Sequence, residues 1–128
     1  MKNVMIDTSA WVDFFRNRNS QTGDMVAELI QTDKAFITGP VIAELLHGVR
    51  GKKETNQLDV LFDTIPCMDV EHTDWVNTGK KLQALQKRGL TVPLTDALIA
   101  SIAMRLDMAV LTLDKHFLYL SVNCLGLE

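Results

Sequence analysis

Four acidic residues that lie far apart in the sequence each come just after a run of residues typical of a β-strand. They are Asp7, Glu44, Asp96 and Asp114. In an open parallel sheet, ligands bind in the crevice at the carboxyl ends of the strands, so we expect these side chains to meet there. Carboxylates that lie together repel one another and raise each other's pKa. A divalent cation with oxygen ligands removes that conflict, and Mg²⁺ or Mn²⁺ suits such a site.

Alternating strands and helices would position these acids. The strands are predicted at residues 3–6, 35–38 and 109–113, with weaker ones at 67–70 and 122–125. The helices are predicted at residues 9–16, 23–31, 56–64, 73–88 and 96–106, with a further one that starts near Pro40. A chain in which strands and helices alternate favours an α/β fold, with a mostly parallel sheet between layers of helices.

Helical spacing also predicts which side chains face the core. Leu46 on the third helix and Trp75 and Val76 on the fifth fall among the inward-facing residues. Pro40 suits the first turn of its helix, because its missing N–H costs nothing there. Thr95 is predicted as the N-cap of the sixth helix.

Length and composition favour a single domain over residues 1–128, since 128 residues lie near the commonest domain size. No apolar run approaches the roughly 20 residues that span a bilayer. Asp7 interrupts the N-terminal apolar run, which argues against a signal peptide. Cys67 and Cys124 are too few for a disulfide framework or a zinc site, so we expect buried, inert thiols. These features predict a cytoplasmic protein without a membrane segment.

The net charge of −3 argues mildly against a nucleic-acid binder, because such proteins are usually basic. The four clustered acids account for more than this whole negative charge, however, so the rest of the chain is slightly basic. Two short basic segments could contact phosphates at the rim of the crevice. Their residues are Arg16, Arg18, Arg50, Lys52 and Lys53.

Three of the four acids also have a purely structural interpretation. Asp7, Asp96 and Asp114 could each accept backbone N–H groups as the N-cap of a following helix. Glu44 has no such role, because it lies within a helix among apolar neighbours, where an unpaired carboxylate is rare. The presence of all four acids together favours a metal site over separate caps.

Other functional classes fit the sequence less well. A phosphatase of the haloacid type needs a second Asp two residues after Asp7, where Ser9 stands. A receiver domain needs a Lys at the end of its last strand, and Lys115 does not match that position. A noncatalytic binding module is a further alternative, but clustered charges without a ligand would destabilise it.

Four segments around the acids resemble the motifs of one family. They are IDTSAWVDFFR around Asp7, PVIAELLHGV around Glu44, LTDALIASIA around Asp96 and VLTLDKHF around Asp114. In this order and at these spacings, they resemble the four motifs of PIN-domain ribonucleases, of the small VapC-like toxin type found in prokaryotic toxin–antitoxin pairs. The resemblance covers nearly the whole chain.

The resemblance implies a three-layer PIN-like sandwich and an endoribonuclease that depends on Mg²⁺ or Mn²⁺. Asp7 and Asp96 match the principal metal ligands, and Asp114 matches a third ligand that binds directly or through water. Glu44 matches a residue that holds a second metal or orients the attacking water. Supporting hydroxyl groups match at Thr8, Ser9 and Thr112.

The resemblance also implies a biological role. It predicts a toxin that cleaves RNA and inhibits translation or growth until a small antitoxin protein neutralises it, and it predicts a homodimer. His116 lies beside Asp114 in the fourth motif, and its type and position fit either an RNA contact or an ordinary surface histidine.

Overall fold

A parallel sheet forms the centre of the protein. The computed structural model describes residues 2–17 and 19–127. Within these residues the strands are β1 (Val4–Ile6), β2 (Ala35–Thr38), β3 (Cys67–Met68), β4 (Ala109–Leu111) and β5 (Cys124–Leu125). They pair in the order β3-β2-β1-β4-β5, and every pairing is parallel. The predicted α/β class with a mostly parallel sheet is therefore confirmed.

Helices connect the strands and cover the sheet. They are α1 (Thr8–Arg16), α2 (Gln21–Gln31), α3 (Gly39–Gly48), α4 (Lys52–Thr64), α5 (His72–Lys87) and α6 (Leu94–Arg105), followed by a 3₁₀ helix (Lys115–Tyr119). All the predicted strands and helices are present, with differences at their ends. The largest difference is at α4, which begins at Lys52, because the polar residues before Asn56 carry no helical pattern of apolar positions.

The strand order reverses direction beside β1. The chain proceeds outward from β1 to β2 and β3, and then returns to place β4 on the other side of β1. Ile6 at the end of β1 lies opposite Leu111 at the end of β4. Such a reversal opens a crevice at the carboxyl ends of the two adjacent strands, which is where α/β proteins bind ligands. Asp7 and Thr112 are the next residues along the two strands.

The central strands and α6 form the core. All three residues of β1 and of β4 are buried, as expected for parallel strands with helices on both faces. Helix α6 packs against both of these strands and buries most of its residues between Asp96 and Ala103. The position of Asp96 is therefore set by one of the most deeply buried helices of the protein.

Helix α5 does not face the core as predicted. Trp75 and Val76 are 53% and 42% exposed, and Leu46 on α3 is 42% exposed, so the prediction that these three face inward is wrong. On α5, Asp74 and Thr78 are buried instead, because both bond to side chains of α6. These polar contacts, and not the apolar residues, determine which face of the helix is buried.

Two local predictions are also wrong. The N-cap of α6 is Pro93, not Thr95, because the Pro93 carbonyl already accepts the backbone N–H of Ala97. Cys67 is exposed, since β3 is a two-residue edge strand, and Cys124 is partly buried. No helix in the described part of the chain is long and apolar enough to cross a membrane.

Candidate active site

Asp7 is held at the carboxyl end of β1 by two hydroxyl groups. Its side chain is almost fully buried, and Oδ2 accepts hydrogen bonds from Thr112 Oγ1 at 2.8 Å and Ser9 Oγ at 2.9 Å. Burial raises the pKa of Asp7 above its ordinary value, and the bonds from Thr112 and Ser9 oppose that rise. Asp7 occupies the N-cap position of α1, but its side chain makes no capping hydrogen bond. The structural interpretation therefore fails for this residue.

The same hydroxyl groups join the ends of β1 and β4. Thr112 Oγ1 accepts the backbone N–H of Asp114 at 2.9 Å, and Ser9 Oγ accepts that of Leu113 at 2.9 Å. The two hydroxyl oxygens lie 3.3 Å apart. Thr112 is fully buried. These bonds fix the chain that carries Asp114 relative to Asp7.

Glu44 reaches the site from α3. It is half-buried, and its Oε1 accepts a hydrogen bond from Thr8 Oγ1 at 2.8 Å. Thr8 is the first residue of α1, directly after Asp7. The bond therefore ties the second acid to the segment that carries the first.

Asp96 is a buried carboxylate with one oxygen that lacks a hydrogen bond. It lies in the first turn of α6 and is 6% exposed, and no described residue hydrogen-bonds its Oδ2. Burial, together with Asp114 and the charges of Asp7 and Glu44, raises the pKa of Asp96 to about 8. The structure therefore brings all four acids within electrostatic reach of one another.

Asp114 has the opposite electrostatic character. It caps the 3₁₀ helix through the backbone N–H of His116, which Oδ1 accepts at 3.0 Å. The same oxygen lies 2.7 Å from His116 Nδ1. Partial burial works against ionisation, but a proton shared by Asp96 and the bonds from His116 hold the pKa of Asp114 below its usual range. The capping interpretation is correct for this acid, and it leaves the second carboxylate oxygen for other contacts.

These carboxylates suit a divalent cation. One donor atom from each of Asp96, Asp114 and His116 lies within 4.8 Å of the others. Buried acids that must hold a proton at neutral pH exchange it readily for a cation, since the cation removes the repulsion that raised the pKa. The orphaned Oδ2 of Asp96 is the clearest sign that the donor set fits a metal.

The predicted basic residues lie away from the acids, with one exception. Arg50, Lys52 and Lys53 are exposed around the start of α4. Arg16, in the last turn of α1, is exposed and lines a groove of about 170 Å³ that also contains Glu44. Arg18 lies outside the described residues. None of these four described basic side chains forms an ion pair with the four acids.

Two features were missed or left open by the sequence. His116 contacts the acids directly, although the sequence placed it equally well on an ordinary surface. The buried ion pair between Asp74 and Arg105 was not predicted at all. The Asp-x-His spacing at the start of a helix is the sequence signal for the His116 contact. The Asp74–Arg105 pair has no local sequence signal.

Comparison with known proteins points to one family. The family model for the PIN domain matches residues 4–122. A VapC ribonuclease of Mycobacterium bovis is 30% identical over 118 residues, which cover 89% of this chain and 88% of that protein.

Solved structures show the same fold. The DNA-bound VapBC structure from Salmonella typhimurium superposes with a TM-score of 0.83 at 17% identity, covering 98% of both chains. A member of the VapBC family of toxin–antitoxin systems from Mycobacterium tuberculosis, VapBC-5, has a TM-score of 0.66 at 20% identity and covers 94% of this chain and 92% of its own.

Proposed function

Because the chain belongs to the PIN-domain family, we propose that it is a ribonuclease and the toxin of a toxin–antitoxin pair. More specifically, it is an endoribonuclease that depends on Mg²⁺ or Mn²⁺ and inhibits translation or growth until its antitoxin binds. The observation that carries the proposal is the buried carboxylate of Asp96, whose Oδ2 no described residue hydrogen-bonds, among three other acids. We further propose that residues 1–128 form one domain and act in the cytoplasm.

The proposed ligands are Asp7, Asp96 and Asp114. A divalent cation bound by them supplies charge neutralisation and Lewis acidity for cleavage of a phosphodiester. The protein's own contribution is to hold the carboxylates in place. Thr112 and Ser9 fix the Asp7 carboxylate, so that a single orientation of its oxygens faces the crevice.

Glu44 is proposed to accept a proton from, or to orient, the attacking water. Its Oε1 is held by Thr8, which leaves Oε2 to act as an acceptor. A half-buried carboxylate close to the other acids is suited to this work, because a general base must lie within hydrogen-bond reach of the proton that it takes.

The RNA strand is proposed to lie along the basic rim. Arg16 shares its groove with Glu44, so it can contact a phosphate next to the cleavage site. The further phosphate contacts of the proposal are Arg18, Arg50, Lys52 and Lys53. Contacts of this kind position the strand without reading its sequence.

The antitoxin partner is proposed to occupy the groove between α1, α3 and α4. Its walls are largely apolar, with Val12, Leu45 and Leu58 among them, and Glu44 also lines it. An apolar segment there could place an Arg or Lys among the carboxylates, where charge-assisted hydrogen bonds are strong. We also propose a homodimer, for which light scattering at micromolar concentration should give twice the mass of one chain.

Cleavage assays with variants test the proposed activity. The wild type should cleave RNA with Mg²⁺ or Mn²⁺ and lose all activity in EDTA. Asp7→Asn and Asp96→Asn should each lose about a hundredfold or more, the scale of losing one preorganised electrostatic contact to the transition state. Asp59→Asn, on the exposed side of α4, is the matched control and should retain full activity. Wild-type cleavage by both site variants would contradict the assignment.

A further inference from the structure

His116 places a nitrogen donor beside two of the carboxylates. Its Nδ1 lies 2.7 Å from Asp114 Oδ1 and 3.7 Å from Asp96 Oδ2. Around an octahedral ion with bonds of about 2.1 Å, neighbouring donors lie about 3.0 Å apart and opposite donors about 4.2 Å apart. One donor atom from each of Asp96, Asp114 and His116 lies within 4.8 Å of the others, so small adjustments would let the three groups bind one cation.

The second observation is the state of Asp96. Its side chain is more than nine-tenths buried, and Oδ2, the atom nearest the imidazole, has no hydrogen-bond partner among residues 2–17 and 19–127. At 3.7 Å the histidine is too far away to supply that bond. A buried carboxylate oxygen without a hydrogen bond costs stability, and a cation bound between Asp96 and His116 would remove that cost.

Capping alone does not explain the histidine side chain. The backbone N–H of residue 116 already caps the 3₁₀ helix by donating to Asp114 Oδ1, and any residue other than proline would do the same. The ring adds a second contact to the same oxygen. The side chain is 46% exposed, so the ring can exchange this contact for a different one without unpacking the core.

We infer that His116 is a nitrogen ligand of the divalent cation, and that it makes this site favour Mn²⁺ and later transition ions over Mg²⁺. The inference rests on the proposed metal-dependent function and adds a residue that selects among ions. Asp96 Oδ2, a carboxylate oxygen of Asp114 and His116 Nδ1 would then share one cation. The Nδ1 lone pair faces the ion, and the remaining ring proton sits on Nε2 toward solvent.

A nitrogen ligand discriminates between ions in a way that carboxylates do not. Mg²⁺ is a hard ion that prefers oxygen donors and keeps several waters. Affinity for nitrogen sites rises from Mn²⁺ to Co²⁺ along the first transition row. Loss of the imidazole should therefore weaken Co²⁺ binding most, Mn²⁺ binding less and Mg²⁺ binding least.

Titration of the metal-free protein with each ion tests this order without measuring activity. His116→Gln retains the backbone cap and removes the imidazole, and His72→Gln changes an exposed histidine at the start of α5 as the matched control. We expect His116→Gln to weaken Co²⁺ binding by at least about tenfold, a loss seen even when a ligand's supporting partner is removed. The Mg²⁺ affinity should change by less than about twofold, and His72→Gln should match the wild type.

Electron spin echo measurements on the Mn²⁺ complex give an independent test. The chain has three histidines, so labelling them with ¹⁵N changes the nitrogen signal only if one of them binds the ion. The coupling should be present in the wild type and in His72→Gln and absent in His116→Gln. A mere positioning role for His116 would weaken all three ions equally and leave no nitrogen coupling, which would overturn the inference but not the proposed function. A wild type that binds no divalent ion would overturn both.

Discussion

Two aspartates of this protein occupy the same helical position and have opposite electrostatics. Asp74 is the third residue of α5, and Asp96 is the third residue of α6. Both follow a threonine, and both are buried. The pKa of Asp74 is lowered, whereas that of Asp96 is raised to about 8. The neighbours in space, and not the helix position, account for the difference.

Asp74 is fully paired. Arg105 donates from Nε at 2.9 Å and from Nη2 at 2.9 Å, and the backbone N–H of Glu71 donates at 2.8 Å. Burial of Asp74 works against ionisation, but these bonds and the Arg105 charge outweigh it and lower the pKa. The result is a fixed link between α5 and the end of α6.

The charged neighbours of Asp96 are acids, whereas the charged neighbour of Asp74 is Arg105. A buried carboxylate with a complete set of hydrogen-bond donors serves the fold. A buried carboxylate that faces other carboxylates is suited to bind a cation. Both carboxylates cost free energy to bury. The Arg105 guanidinium offsets that cost for Asp74, and under the proposed function a bound ion offsets it for Asp96.

Removing the arginine should produce the largest loss of stability. In Arg105→Ala the buried Asp74 charge has no cation, so the free energy of unfolding should fall by about 3–5 kcal/mol. Urea denaturation measures this loss in the free energy of unfolding. The double variant Arg105→Ala with Asp74→Asn should recover part of the loss, because no charge is left unpaired. Lys87→Ala, exposed in the last turn of α5, is the control, and a loss no greater than in this control would contradict the structural role of the pair.

Neutralising the other aspartate should have the opposite sign. The pKa of Asp96 lies above its unfolded value of 3.8, so the folded state holds the proton more tightly, and stability falls as pH rises toward about 8. Without metal, Asp96→Asn should therefore be more stable than the wild type at neutral pH by roughly 1–4 kcal/mol. The advantage should vanish near pH 3.8 and level off above about 8.

Thermal and urea unfolding in EDTA across this pH range measure the advantage. A variant less stable than the wild type at pH 7 would show that Asp96 serves the fold as Asp74 does. In contrast to Asp96, the contribution of Asp74 is present above its unfolded pKa and is lost as pH falls through the lowered folded value.

The response to metal is the third effect, and its size depends on the ion concentration. An ion that binds only the folded state, at a hundred times its dissociation constant, stabilises the protein by about 2.7 kcal/mol. Mg²⁺ should raise the melting temperature of the wild type and of Asp59→Asn, and most of the rise should be absent in Asp96→Asn. An unchanged rise in Asp96→Asn would place the ion elsewhere.

Local patterns were sufficient to predict the strands that carry the acids. The runs VMI, AFI and AVL are continuous apolar segments, which is the pattern of strands buried on both faces. Asp7 and Thr112 directly follow two of these runs. Their meeting at one edge of the sheet follows from the parallel pairing of β1 with β4.

Long-range contacts were beyond local patterns. Helical spacing shows which residues of α5 share a face, but Trp75 and Val76 are on the outside because Asp74 and Thr78 bond to α6. The exposure of Cys67 depends in the same way on β3 lying at the sheet edge. In each case a partner distant in sequence decides which face is buried.

The sequence by itself determined the order of strands and helices, and with it the positions of Asp7, Glu44, Asp96 and Asp114 at the crevice. These depend on apolar periodicity and helix starts, which neighbouring residues specify. Only the tertiary structure decided that Asp96 faces other acids, that Asp74 is paired with Arg105, and that His116 contacts the acids. Electrostatic energies depend on distances between charges from different segments, and those distances exist only after the segments have packed.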